Sequence, residues 1–434
     1  MDGRVYCLRK MKNIKRRVLI LVNTQFPYGK SEDFLSNELE YAAGFDEIVC
    51  FPILVYGSKT SSDIIYKKTK QAVTFYNSTF SYNSKLRLLK LLFLTFTDSN
   101  FYKELLVLIS TKRFTLGNIK QLLRFLFIAH NALNDLTRIV NEKYKNCDVV
   151  LYSYWMYVGA FVIISLKKKL KKVIHFEKEI TRCHRFDLYE YADAGRYLPM
   201  RKYILSKINE IHSISTDGVA YLSKKYPQYT NKLKLSRLGS LDKGVKIFPK
   251  SKTLHLVSCS WMRPVKRVSS ILEVVSKLSV KIEWVHYGDG EEFEKIKRMV
   301  SQINNPLASV KLMGACSNEK VLAEYAVKHY DVFINVSENE GVPVSIMEAM
   351  SFGKIIIATN VGGTAEIVEN GVNGFLLDKD FTNEELVNVL TRTALLAPEE
   401  FNEMCKQSRR IWEERCNAAT NYEKFYQQLK VKSV

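Results

Sequence analysis

Asp331-Val332-Phe333-Ile334-Asn335-Val336-Ser337-Glu338-Asn339-Glu340-Gly341-Val342-Pro343-Val344-Ser345-Ile346-Met347-Glu348-Ala349-Met350 reads as a strand, a turn and the start of a helix. The run from Asp331 to Asn335 is short and β-branched, as a buried strand requires. Gly341 marks the turn. Pro343 fits a first helical position, where its missing N–H would be unpaired in any case. A helix that begins at a strand's carboxyl end offers free N–H groups and the positive end of its dipole, and both attract phosphate. Glu340 and Glu348 flank this point. Carboxylates repel phosphate, so their fitting partners are hydroxyls, while nearby cations take the phosphate charge. A nucleotide sugar carries both kinds of group.

Outward from this segment the same grammar repeats. Short β-branched runs at His255 to Cys259, Lys281 to Tyr287, Val310 to Met313 and Lys354 to Ala358 are each followed by a helical pattern. That alternation predicts βαβ units and a parallel sheet covered by helices, with ligands at the carboxyl ends of the strands. The first half reads the same way, with strands at Val18 to Val22, Glu47 to Phe51, Val149 to Tyr152, Lys172 to His175, Glu210 to Ser213 and Leu233 to Arg237. Leu151 to Leu166 falls short of a membrane span and reads as strand, turn and buried helix. Between Ser84 and Asp135 apolar residues such as Leu91, Leu105, Ile109 and Leu122 recur at helical spacing. They fit helices packed on the domain or amphipathic helices lying on a membrane.

At 434 residues the chain calls for two α/β domains. A net charge of +20 points to an anionic partner. No nucleic-acid-binding signature accompanies the basic runs, so an anionic membrane surface ranks above nucleic acid and no specific nucleic-acid partner is expected. Eight cysteines without a CxxC pair fit a reducing cytoplasm. No His/Cys spacing gives a zinc signature, and no metal or other cofactor is expected.

Glu340 and Glu348, with seven residues between them, within Glu-Gly-Val-Pro and Met-Glu-Ala-Met, resemble the EX7E motif of the family 4 glycosyltransferases. The likeness continues through Ser351 to Lys354, Ile357 to Val368 and Asn370 to Leu377, in order and spacing. The resemblance implies two facing Rossmann-like domains, the GT-B fold, with a C-terminal helix crossing back to the first domain. It implies a retaining enzyme of the bacterial surface-polysaccharide type. Glu340 would contact hydroxyls of the transferred sugar, Gly341 and Val342 would offer backbone N–H groups beside Pro343, and Glu348 would hold the ribose. Lys266, in Ser258 to Arg267, matches the lysine that binds the donor diphosphate. The family's preceding arginine aligns with Trp261, so Arg263 is the candidate substitute. Gly288 and Gly290 match a second glycine loop against the nucleotide.

In the first half, Thr24 to Glu32 is similar to the family's first loop, which borders donor and acceptor. Gly29 falls to the donor side, and Tyr28, Lys30 and Glu32 to the acceptor side. Arg182 is expected at the acceptor, and His184 matches a histidine near the transferred sugar. The catalytic set is Lys266, Glu340 and His184.

The expected organisation is a flexible basic extension over 1–15, an acceptor-binding Rossmann-like domain over 16–245, and a nucleotide-sugar-binding Rossmann-like domain over 246–408. A single helix over 409–434 would pack on the first domain through Trp412, Tyr422 and Phe425. The expected activity is transfer of a hexosyl group from a nucleotide sugar to a saccharide acceptor, lipid-linked, at the cytoplasmic face of the membrane. The rival is a basic nucleic-acid- or membrane-binding scaffold on a degenerate version of the fold. A phosphorylase on the same fold would need a pyridoxal lysine, for which no motif is present.

Overall fold

A computed structural model describes residues 15–29, 32, 34–55, 69, 71–76, 78 and 85–430. The chain divides into two compact units. The N-terminal unit runs to Ser213 and adds Tyr221–Lys234 and the segment from Glu423; the C-terminal unit takes Ile214–Ala220 and Leu235–Tyr422. Except for Lys15, the expected basic extension lies outside the described residues.

The N-terminal unit is built on strands β1 (Arg16–Asn23), β2 (Glu47–Pro52), β3 (Ala72–Phe75), β4 (Cys147–Ser153), β5 (His175–Cys183), β6 (Glu210–Ser213) and β7 (Leu233–Leu235), in the order β3-β2-β1-β4-β5-β6-β7. From β3 to β6 every neighbouring pair is parallel. The order reverses between β1 and β4, which opens a crevice at their carboxyl ends. Strand alternation shows why the sheet is covered on both faces. Val18, Ile20 and Val22 enter one core with Val149 and Leu151, while Leu19 and Leu21 enter the other with Val150 and Tyr152. Successive side chains of a strand point to opposite faces, so a continuous apolar run demands two covered faces.

The C-terminal unit holds β8 (Leu254–Cys259), β9 (Ile282–Tyr287), β10 (Ala308–Leu312), β11 (Val332–Asn335), β12 (Ile355–Thr359) and β13 (Gly374–Leu377), in the order β10-β9-β8-β11-β12-β13. All five pairings are parallel. Its order reverses between β8 and β11.

Several expectations need correction. The strand read at Lys172 to His175 begins at His175 and continues to Cys183, because the lysines before it close the helix Val158–Leu170. Strands β3 and β13 were not anticipated. Pro343 caps its helix from one residue outside, and the helix is Val344–Ser351.

The final helical stretch is two helices, Pro398–Arg415 and Ala418–Lys430. They break where Asn417 bridges to Ser240 and where a Cβ on Gly239 would come within 2.4 Å of Ala418 Cα. Trp412 therefore belongs to the C-terminal unit, its indole N–H donating to Ser240 Oγ at 2.8 Å. Of the three expected anchors only Phe425 joins the N-terminal core, with Tyr426 and Leu429. The Leu/Phe/Lys-rich region forms helices Lys85–Thr97, Ser99–Ser110 and Leu116–Lys143. Among the described residues no helix is long and apolar enough to cross a membrane.

Candidate functional site

In the C-terminal unit, loops at the carboxyl ends of β8, β9, β11 and β12 clasp one another. The β8 loop runs through Trp261 and Met262 into the short turn Pro264–Lys266. Met262 N–H donates to Asp289 O at 2.9 Å, and Glu338 N–H donates to Val265 O at 2.9 Å. Gly288 has a φ of +143°, and a Cβ there would lie 1.8 Å from Ser260 O. Only glycine permits that approach of two backbones. Gly290 packs likewise against the Met262 backbone. Gly362, at φ +55°, lies where a Cβ would strike Glu340 O, and Gly363 N–H donates to Gly341 O at 2.6 Å.

These contacts deliver Lys266 to Glu340. The ammonium lies 2.6 Å from Glu340 Oε1, which also accepts from Asn335 Nδ2 at 3.2 Å. Gly341, Val342 and Pro343 follow directly and lead into the helix, whose first N–H groups have no partner within it. Glu348 lies one and a half turns further along. Its carboxylate accepts from Asn318 Nδ2 at 2.8 Å, and burial pushes its pKa up to about 7 against that bond. Arg263 is exposed in the same β8 loop and has no ion-pair partner among the described residues. Arg267 is not the free surface charge it could have been, since its guanidinium donates to Val336 O and Lys379 O, both at 2.7 Å.

The N-terminal unit places its candidates around the ends of β1, β4 and β5. His184 is buried between the rings of Tyr154 and Trp155, with centroids 4.6 and 4.4 Å away. Neither ring nitrogen has a hydrogen-bond partner among the described residues. Burial, aided by the Arg182 charge, holds the imidazole well below its ordinary pKa, so it is neutral at pH 7. Tyr28 and Gly29 close a turn on Gln25 O. Lys30 lies outside the described residues.

Two expected acceptor contacts are corrected. Arg182 is fully buried, 2.6 Å from Glu38 Oε2 and over the Phe425 ring, so its guanidinium is a core group. Glu32 is also buried. Its carboxylate accepts from the N–H groups of Thr24, Gln25 and Phe26 and from the Trp155 indole, and so shapes the loop that follows β1.

Sequence reading missed a cavity of about 330 Å³ at the carboxyl ends of β1 and β4, walled by Phe125, Trp155, Tyr157 and Phe186 with Gln121 and Arg124. Asn23 lines it, almost fully buried, and both polar atoms of its amide lack partners among the described residues. An amide left unpaired inside a protein is costly, and a hydroxyl-bearing ligand would satisfy it. The signal was present in the sequence as a polar residue ending an otherwise apolar strand.

Outside these loops, His255, His329 and Asp331 bring ligand atoms within 4.8 Å of one another at the amino ends of β8 and β11. Both Asp331 oxygens are already engaged there, by His329 Nε2 and by His255 N–H, each at 2.9 Å.

Two doubly wound parallel sheets, each in its own unit, define the fold as that of the GT-B glycosyltransferases. Residues 244–412 match the family model of the glycosyl transferases group 1. An uncharacterized glycosyltransferase of Methanocaldococcus jannaschii is 30% identical over 131 residues, which cover 29% of this chain and 36% of that protein. The chain thus aligns with little more than a third of that relative's length. Among solved structures, sucrose-phosphate synthase from Thermosynechococcus elongatus superposes with a TM-score of 0.68 at 15% identity, covering 95% of this chain and 99% of that one. Anabaena HepE in complex with UDP-glucose gives 0.63 at 14% identity, with coverage of 95% and 99%.

Proposed function

We propose that the chain is a retaining glycosyltransferase that moves a hexosyl group from a nucleotide sugar to a saccharide acceptor, lipid-linked, in polysaccharide assembly at the cytoplasmic face of the membrane. The observation that carries this reading is the Lys266–Glu340 pair, 2.6 Å long, at the mouth of the helix Val344–Ser351 and at the reversal point of its sheet. A donor entering there exchanges the pair for better partners: the ammonium turns to the diphosphate, and the carboxylate accepts from sugar hydroxyls. The UDP-glucose in the HepE structure supports a nucleotide-sugar donor.

In the proposed reaction the bond from the anomeric carbon to the diphosphate breaks while the acceptor oxygen attacks the same face. The acceptor proton passes to the departing phosphate oxygen. Lys266 and the helix N-terminus stabilise the charge that develops on the leaving group, the kind of electrostatic contribution that usually dominates. No metal is required by this scheme. The cavity beside Asn23 is assigned to the acceptor, with aromatic walls for a sugar face and Arg124 for an anionic group.

Thermal unfolding against a panel of UDP-, GDP- and ADP-sugars tests the reading, because a ligand that binds only the folded state raises the melting temperature. One nucleotide class should stabilise the wild type and leave Glu348→Ala unmoved. If no nucleotide sugar stabilises the wild type, the donor assignment is wrong.

A further inference from the structure

We infer that the outer face of helices Lys85–Thr97 and Ser99–Ser110, with the corner that leads into Leu116–Lys143, is the surface by which this protein docks on an anionic membrane leaflet. The inference rests on the lipid-linked acceptor proposed above and names the surface that would reach it.

Each of the two helices carries apolar residues on opposite sides. The inner stripes are ordinary: Leu91 in the first helix and Phe101 and Leu108 in the second are buried. The outer stripes are Leu89, Phe93 and Phe96 in the first and Tyr102, Leu106 and Ile109 in the second. Both follow i, i+4, i+7 spacing, which lines residues along one helix face. Phe93 is 68% exposed and Leu106 65%. The two stripes meet where Tyr102 Oη donates to Phe96 O at 2.9 Å. Past the turn, Phe114 and Leu116 are exposed as well, Leu116 at 78%. Large apolar side chains shown to water in one contiguous stretch mark an interaction surface.

Charge identifies the partner. From Lys85 to Lys120 the chain carries seven cations and two acids. Both acids turn inward: Glu104 accepts from Tyr197 Oη and Met200 N–H, and Asp98 caps its helix by accepting from Asn100 N–H. Lys90, Lys103 and Lys112 stand exposed around the apolar stripes. An apolar face rimmed by lysines, with no fully exposed acid between Lys90 and Lys120 among the described residues, suits the boundary between anionic headgroups and acyl chains. A second protein copy bringing the same face would set lysine against lysine.

Position agrees with this use. At 1.5 Å of rise per residue, Gln121 and Arg124 lie roughly 7–12 Å along the helix from exposed Leu116. Both line the cavity assigned to the acceptor. An acceptor whose lipid stays in the leaflet would therefore find the cavity a short distance above the docking face.

Flotation with phosphatidylcholine vesicles, with and without phosphatidylglycerol, tests the inference on the full chain. Wild type should float with the anionic vesicles and not with the neutral ones. Phe93→Asp/Leu106→Asp should reduce the bound fraction at least about tenfold, since two apolar anchors become charged. Lys90→Glu/Lys103→Glu/Lys112→Glu should do the same without touching an apolar group, at about fivefold per lysine. Both variants should keep the wild-type melting temperature and nucleotide-sugar response, which separates failure of docking from failure of the donor site. If wild type ignores anionic vesicles, or both variants float as well as wild type, the inference is overturned. A concentration-dependent dimer in light scattering, abolished by Phe93→Asp/Leu106→Asp and unaccompanied by vesicle binding, would overturn it in favour of a self-association surface.

Discussion

In the N-terminal unit Arg182 Nη1 lies 2.6 Å from Glu38 Oε2, and in the C-terminal unit Lys266 Nζ lies 2.6 Å from Glu340 Oε1. Length does not distinguish them; surroundings do. The first pair is sealed, with no exposed side-chain surface on either partner, under Phe425 and beside the hydroxyls of Tyr152 and Tyr426, which donate to Glu38. The second keeps 25% of the lysine side chain and 12% of the glutamate exposed, in loops at strand ends. A sealed pair can only hold the fold, because no ligand reaches it and its charges cannot be separated without large cost. A half-open pair can exchange partners with a ligand that brings a phosphate and hydroxyls. Exposure, rather than contact geometry, separates the sealed pair from the one proposed to meet a ligand.

The largest expected effect is on the sealed pair. Arg182→Ala strands a buried carboxylate and should lower the unfolding free energy by about 3–5 kcal/mol, read from denaturant titration. Should the loss fall under about 1 kcal/mol, the pair is not the structural lock described. Lys266→Ala is the complementary case. It should change stability by no more than about 1 kcal/mol, yet lower kcat/KM for sugar transfer about 10²- to 10³-fold. Destabilisation equal to that of Arg182→Ala would erase the contrast between the two pairs.

A smaller effect sharpens the picture at Glu348. Burial raises its carboxyl from the ordinary 4.5 to about 7. If Glu348 holds the ribose, as the resemblance implies, the hydroxyls donate best to the ionised form, so affinity for a nucleotide sugar should rise about tenfold from pH 6 to pH 8 and stay flat in Glu348→Gln. Stability of the ligand-free protein runs the other way. A carboxyl whose folded pKa is raised contributes stability that is full below about 4.5 and lost as pH rises through about 7. The melting temperature of wild type relative to Glu348→Gln should therefore fall across that window.

Legibility differed between the two units for reasons visible in single segments. The strands and loops around the proposed donor site were readable because each is short, apolar and punctuated by glycine, with Glu340 and Glu348 in one contiguous run. Strand β5 was harder. Glu177, Lys178 and Glu179 break its apolar pattern, and they sit inside the sheet because Arg17, Glu210 and Lys167 neutralise them from distant positions. The unit boundary was hidden for a similar reason. Ile214–Ala220 joins the C-terminal unit, where Glu366 accepts from the N–H groups of Thr216 and Asp217 at 3.0 Å each. No local pattern announces a cap supplied from 150 residues away.

Sequence by itself determined that two parallel α/β sheets form and that a helix starts beside Glu340, because strand–helix alternation and turn residues are written in short local segments; Lys266, 74 positions upstream of Glu340, was placed near it only through the family resemblance. Tertiary structure alone decided which charges are sealed and which are open, that Arg182 and Glu32 support the scaffold, that Asn23 lines a cavity with its amide unpaired among the described residues, and that two helices present a second apolar stripe to the outside. Burial is a property of everything packed around a residue, and that packing gathers segments as distant as β1 and the last helix, so no reading along the chain contains it.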